Sequence, residues 1–196
     1  MEVTEAIEEE MGDERKRFAR LAENKSATRA VSSHQLFQTP EPLADRLAGM
    51  FETFGRVLEP SAGLGRLYRA VRKRSDCHVT MVEQAAECCG ELYRTTEGDG
   101  NARLIQGDFL AQAVDCLGLF DVVIMNPPFK MGTDCKHVLH ALQFVCTGGR
   151  LVSLCANGPK QRAKLKPIAT EWIDLPAGSF KSEGTGVATA IVVFQR

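Results

Sequence analysis

In Asp121-Val122-Val123-Ile124-Met125-Asn126-Pro127-Pro128-Phe129, an apolar run of four meets a rigid turn. The run reads as a buried strand, and the two prolines end it. A residue ahead of a proline is pushed toward extended backbone, so Asn126 and Pro127 are both constrained. Proline has no N–H, so the turn offers carbonyl oxygens with few competing donors. Together with the Asn126 amide oxygen this makes a stiff acceptor pair, and the Phe129 ring sits beside it. Such a set suits a planar –NH2 group, for example the exocyclic amine of a base, held against a stacking surface.

Working outward from that strand, the chain alternates. Gln38-Thr39-Pro40-Glu41-Pro42 opens a helix, with Thr39 a good N-cap and Pro40 suited to the first helical position. Leu43, Leu47 and Phe51 follow at helical spacing, which predicts a helix to about Phe54. Strands are predicted over Arg56–Glu59, Val79–Glu83, Ala102–Gln106, Phe120–Met125, Arg150–Ala156, Trp172–Leu175 and Val187–Phe194. Helices are predicted over Gly65–Arg74, Ala85–Tyr93, Lys136–Cys146, ended by Gly148-Gly149, and Gln161–Thr170. The pattern implies an α/β, Rossmann-like fold: a mostly parallel seven-stranded sheet with helices on both faces. The last two strands have no helix between them, so the final one is expected antiparallel, at or near the sheet edge. Residues 1–33 are polar and read as an N-terminal extension, leaving 34–196 as the domain.

A chain of 196 residues suffices for one domain with a substantial core. Its hydrophobic content of 44% and charged content of 25% suit a soluble globular protein. No apolar run approaches membrane-spanning length and the acidic start is no signal peptide, so a cytoplasmic protein without a membrane partner is expected. The seven cysteines form no metal-binding spacing and are read as reduced thiols, and no metal is expected. With a net charge of −1, any nucleic-acid surface must be local. Two basic groups qualify: Arg66, Arg69, Arg72, Lys73 and Arg74, and the run Lys160, Arg162, Lys164, Lys166. For the first, a solvated helix face is the more ordinary reading. Surface or packing roles are likewise favoured for His137 and His140.

In open α/β sheets, ligands bind at the carboxyl ends of the strands, near the point where strand order reverses. The first strand ends Glu59-Pro60-Ser61-Ala62-Gly63-Leu64-Gly65, whose glycines allow a tight turn and a close backbone approach to a ligand. A dinucleotide site would want a third glycine where Tyr68 stands, which argues for a ligand with a smaller footprint. The second strand ends at Glu83, an acid able to accept both ribose hydroxyls. The third leads to Gly107-Asp108-Phe109, a carboxylate for an adenine amino group beside a ring that can pack on the base. The fourth ends in Asn126-Pro127-Pro128-Phe129.

This series of motifs resembles the adenine-N6-type DNA methyltransferases that use S-adenosyl-L-methionine (AdoMet). The likeness covers about residues 34 to 196. It implies that Gln38, Thr39 and Pro40 lie by the methionine part of the cofactor. The loop of Glu59, Pro60, Ser61, Ala62, Gly63 and Gly65 would wrap it, with Glu83 on the ribose and Asp108 and Phe109 at the adenine. Asn126, Pro127, Pro128 and Phe129 would be catalytic, with Asn126 also near the cofactor. Phe129 and Phe180 would sandwich the extruded base, Phe180 lying in Leu175-Pro176-Ala177-Gly178-Ser179-Phe180. Leu67 stands where relatives often have an aromatic.

The resemblance implies methyl transfer to the N6 amine of adenine in DNA. A compact layout without a recognition domain also resembles RNA adenine-N6 and protein glutamine-N5 methyltransferases. A non-catalytic AdoMet-binding subunit is a further alternative, against which the intact Asn-Pro-Pro-Phe counts. A homodimer or a recognition subunit would supply missing contacts, and on DNA the chain alone is expected to show low sequence specificity.

Overall fold

The computed structural model describes residues 38–52, 55–180 and 186–196. The 1–33 extension and Phe54 therefore lie outside the described residues. Seven strands form one sheet: β1 (Arg56–Pro60), β2 (His78–Glu83), β3 (Ala102–Gln106), β4 (Phe120–Met125), β5 (Val145–Ala156), β6 (Glu171–Asp174) and β7 (Thr189–Gln195). Their order is β3-β2-β1-β4-β5-β7-β6. Strands β1 to β5 pair in parallel, and β7 runs antiparallel to both β5 and β6. The expected fold class is what the chain adopts, with the final strand one place in from the edge.

Among the described residues six helices flank the sheet: α1 (Glu41–Ala48), α2 (Arg66–Arg72), α3 (Ala86–Thr95), α4 (Val114–Leu117), α5 (Thr133–Ala141) and α6 (Pro159–Lys164). Alternate strand residues serve opposite faces, as a period of two requires. Val57, Met81, Val122, Ile124 and Val152 join Leu47, Leu67, Val71 and Leu92 in one core. Leu58, Val82, Val123, Met125 and Leu151 join Val138, Ala141 and Phe144 in the other.

Strand order reverses between β1 and β4. Their register pairs Val57 with Val122 and Leu58 with Val123, short of both strand ends. The crevice of the doubly wound plan opens there.

Several predicted boundaries move. Helix α1 stops at Ala48 rather than near Phe54, because Gly49 takes the C-cap and Met50 bonds back to Leu47. Its N-cap is Pro40, whose carbonyl receives the Leu43 and Ala44 N–H groups, so Thr39 is not the cap. The fifth helix spans Thr133–Ala141, not Lys136–Cys146, and a 3-10 turn over Leu142–Phe144 leads directly into β5. Gly148 and Gly149 therefore do not end a helix. They lie within β5, whose partners jump from Phe120↔Val145 to Val122↔Arg150. Where a helix over Gln161–Thr170 was expected, α6 covers Pro159–Lys164 and Pro167 sits in a separate 3-10 turn.

Candidate functional site

The loop after β1 is shaped by its backbone. Ser61, Gly63 and Gly65 all have positive φ (61°, 58° and 75°), a region costly for a residue with a side chain. Gly65 sits at the N-cap of α2, where a Cβ would come within 2.8 Å of Leu92 Cδ2. That glycine sets the loop's path and stays out of the cavity wall, as do Pro60 and Pro40.

Glu83 pins the loop from β2. Its Oε2 accepts the Gly63 N–H and its Oε1 accepts the Ala85 N–H, both at 2.8 Å. Each carboxylate oxygen has a second acceptor site to offer a ligand. Glu59 lies beside it, fully buried, with its Oε2 lacking a hydrogen-bond partner among the described residues. Burial pushes the Glu59 carboxyl well above the usual carboxylate range.

These groups wall a cavity of about 690 Å³, within the usual size for small-molecule sites. Gln38, Thr39, Glu59, Ser61, Ala62, Gly63, Glu83, Asp108, Phe109 and Asn126 to Phe129 all line it. The sequence-predicted residues from four separate strand ends thus meet around one space.

Thr39, displaced from its expected capping role, is buried and accepts a hydrogen bond from Asn126 Nδ2 at 3.1 Å. That bond fixes the orientation of the Asn126 amide. Asp108 is exposed, and its Oδ1 accepts the Leu110 N–H at 2.9 Å, capping a 3-10 turn over Phe109–Ala111. Phe109 is buried among His137, His140 and Phe144. Phe180 was expected to face the base. Its ring is fully buried, meets Phe129 edge-on at 6.3 Å between centroids, and does not line the cavity. It backs Phe129 from the core.

Lys130, Met131 and Thr133, which sequence reasoning did not single out, also form the wall, together with Arg66, Leu67 and His137. His137 is buried, its Nδ1 lies 3.4 Å from Ser61 Oγ, and burial holds its pKa below the usual histidine value. It packs α5 against the glycine loop. Most of the first basic group is committed to ion pairs: Arg66 with Glu41, Arg72 with Asp99 and Lys73 with Asp45. Arg162 pairs with Asp174 in the same way. All seven cysteines are free, and no cluster among the described residues could hold a metal ion. No helix among them is long and apolar enough to cross a membrane.

The model for the Methyltransferase small domain fits residues 30–166 of this chain. The chain belongs to that family. This methyltransferase small domain protein is 35% identical over 81 residues to an rRNA N(6)-adenosine-methyltransferase of Caenorhabditis elegans. It is 34% identical over 82 residues to a tRNA1(Val) (adenine(37)-N6)-methyltransferase of Histophilus somni. Those stretches cover 39% and 40% of this chain but only 38% and 35% of the two relatives. In fold, the methyltransferase domain is similar to the crystal structure of TrmN from Thermus thermophilus. That match has a TM-score of 0.62 at 17% identity and covers 92% of this chain and 52% of the other.

Proposed function

We propose that this chain transfers a methyl group from AdoMet to the N6 amine of adenine in RNA. The observation that carries the reading is the Asn126-Pro127-Pro128-Phe129 turn at the cavity, its amide oriented by Thr39. The sequence pattern put DNA first. Both curated relatives carry RNA in their names, and on that ground RNA replaces DNA as the substrate class.

The residues present fit AdoMet. The cofactor bears an ammonium and a sulfonium, and the sealed Glu59 carboxyl has an oxygen without a partner among the described residues. Glu83 would accept from the ribose hydroxyls, Asp108 from the adenine amine, and the Ser61–Gly65 backbone would lie against the methionine portion. When bound, AdoMet supplies an electrophilic methyl group on sulfur.

The adenine amine is a poor nucleophile because its lone pair is delocalised into the ring. Asn126 Oδ1 and the Pro127 carbonyl would accept its two N–H bonds, aim the nitrogen lone pair into the cavity and stabilise positive charge growing on nitrogen. Phe129 would stack on the base, worth roughly 1–3 kcal/mol. No strong base is needed before attack.

The test is transfer of tritium from labelled AdoMet to RNA, DNA or protein by the purified chain. N6-methyladenosine in digested RNA is the expected product, and label confined to DNA or to protein overturns the substrate. Asn126→Ala should abolish transfer while calorimetry still detects cofactor binding.

A further inference from the structure

Two residues beyond Phe129, the chain does something that packing does not require. Met131 is 87% exposed, more than any other large hydrophobic residue described, and its φ is +56°. Only Ser61 shares that left-handed conformation among described non-glycine residues, and both line the same cavity. A methionine in this region is strained, and strain of this kind persists only where surrounding structure enforces it.

The enforcement is visible. Lys160 Nζ, reaching over from α6, donates to the Met131 carbonyl at 2.9 Å. Thr133 Oγ1 donates to the Lys130 carbonyl at 2.6 Å, and the Gly132 N–H to the Phe129 carbonyl at 3.1 Å. At Gly132, with φ +73°, a Cβ would be strained and would fall 2.6–2.8 Å from the end of the Lys160 side chain, which would have to shift. Three hydrogen bonds and a glycine thus hold a large apolar side chain out in water at the cavity mouth.

Resting on the RNA reading above, we infer that Met131 packs against the base of a nucleotide next to the target adenosine, and that this neighbour is unpaired. A thioether is polarisable and adapts to an aromatic face, whichever base presents it. In an A-form duplex that face is hidden in the stack, so the contact selects single-stranded or looped RNA. Lys130, exposed beside it, suits the adjoining phosphate. Met131 is therefore a specificity residue for RNA conformation.

The probe is a nine-nucleotide RNA with a central adenosine and randomised flanks, alongside a hairpin that pairs the same adenosine and its neighbours. Met131→Asn keeps a residue tolerant of positive φ but removes the apolar contact, and Met131→Leu restores it. The expected result is a KM for the single strand raised roughly 2- to 13-fold in Met131→Asn, the range of one sulfur–aromatic contact. AdoMet affinity by calorimetry should stay within about twofold and Met131→Leu should stay near wild type, since the contact sought is to a base. An abasic flanking position should cost the wild type a similar factor and cost Met131→Asn little more. If the wild type prefers the hairpin, if Met131→Asn leaves KM unchanged, or if AdoMet affinity falls in step with KM, the inference is overturned. In the last case Met131 covers the cofactor instead. A wild type that labels no RNA overturns the proposed substrate as well; RNA labelling with an unimpaired Met131→Asn overturns only this step.

Discussion

Asp134 is the perturbation with the largest expected effect on the scaffold. It is fully buried near the N-terminus of α5. Its Oδ1 accepts from the Cys135 N–H and from Gln161 Nε2, both at 2.9 Å. Its Oδ2 accepts from the Ala156 N–H at 2.9 Å and from Gln161 Nε2 at 3.0 Å. One carboxylate thereby ties α5, the end of β5 and α6 together. Asp134→Ala strands the Ala156 N–H and the Gln161 amide, and each buried unsatisfied donor costs about 1–3 kcal/mol. The removed charge returns some desolvation energy, but the truncated side chain leaves a void. The net expectation is a loss of about 3–5 kcal/mol, comparable with breaking a buried ionic pair. Asp134→Asn keeps one acceptor oxygen and the volume, so about half that loss is expected. Urea unfolding followed by far-ultraviolet circular dichroism measures both. Losses below about 1 kcal/mol in both variants, inside the range of ordinary surface substitutions, would refute the reasoning, as would Asn costing more than Ala.

Glu83→Gln should weaken AdoMet binding about tenfold or more, because it disturbs both the ribose acceptor and the pin on Gly63; calorimetry showing parent-like affinity would misplace the cofactor. Thr39→Val preserves shape but removes one hydrogen bond from the Asn126 amide, so kcat should fall about 2- to 12-fold, the equivalent of one neutral hydrogen bond; an unchanged kcat would remove Thr39 from the catalytic arrangement. For Glu59 the sign follows from its raised pKa: between the ordinary carboxylate range and its folded value, the folded state holds the extra proton. Its stability contribution is complete below that window and is lost as pH rises through it. Cofactor-free Glu59→Gln should therefore gain on the parent in melting temperature from acidic to neutral pH, and a constant difference across that range contradicts the assignment.

The sheet was legible because its strands are apolar runs closed by turn residues. Ala102–Gln106 and Phe120–Met125 needed no adjustment. The Val145–Gly149 stretch was not, since Val145 serves either period and paired glycines read as a helix stop. The structure uses them to shift register against β4. At the site, strand ends announced Glu59, Glu83, Asp108 and Asn126, because chain order in a doubly wound sheet places them together. Thr39 lines the cavity, but the capping role read from its neighbours belongs to Pro40. The partner of Thr39 lies 87 residues away, and no local pattern encodes such a bond. Asp134 escaped for the same cause: it looks like an ordinary helix residue until the sheet brings α5 against α6, whereas His137 takes the packing role expected of it.

The strand order β5-β7-β6 has a consequence for how the domain assembles. Strand β6 touches the sheet only through β7, pairing Trp172 with Val192 and Ile173 with Ile191. Trp172 and Val192 are near in sequence, whereas Val57 and Val122 of the parallel half pair across a far longer stretch of chain, so the antiparallel corner is the more local part of the sheet. Trp172 is the chain's single tryptophan. Its fluorescence therefore reports the docking of this edge strand on β7, apart from the events in the parallel half.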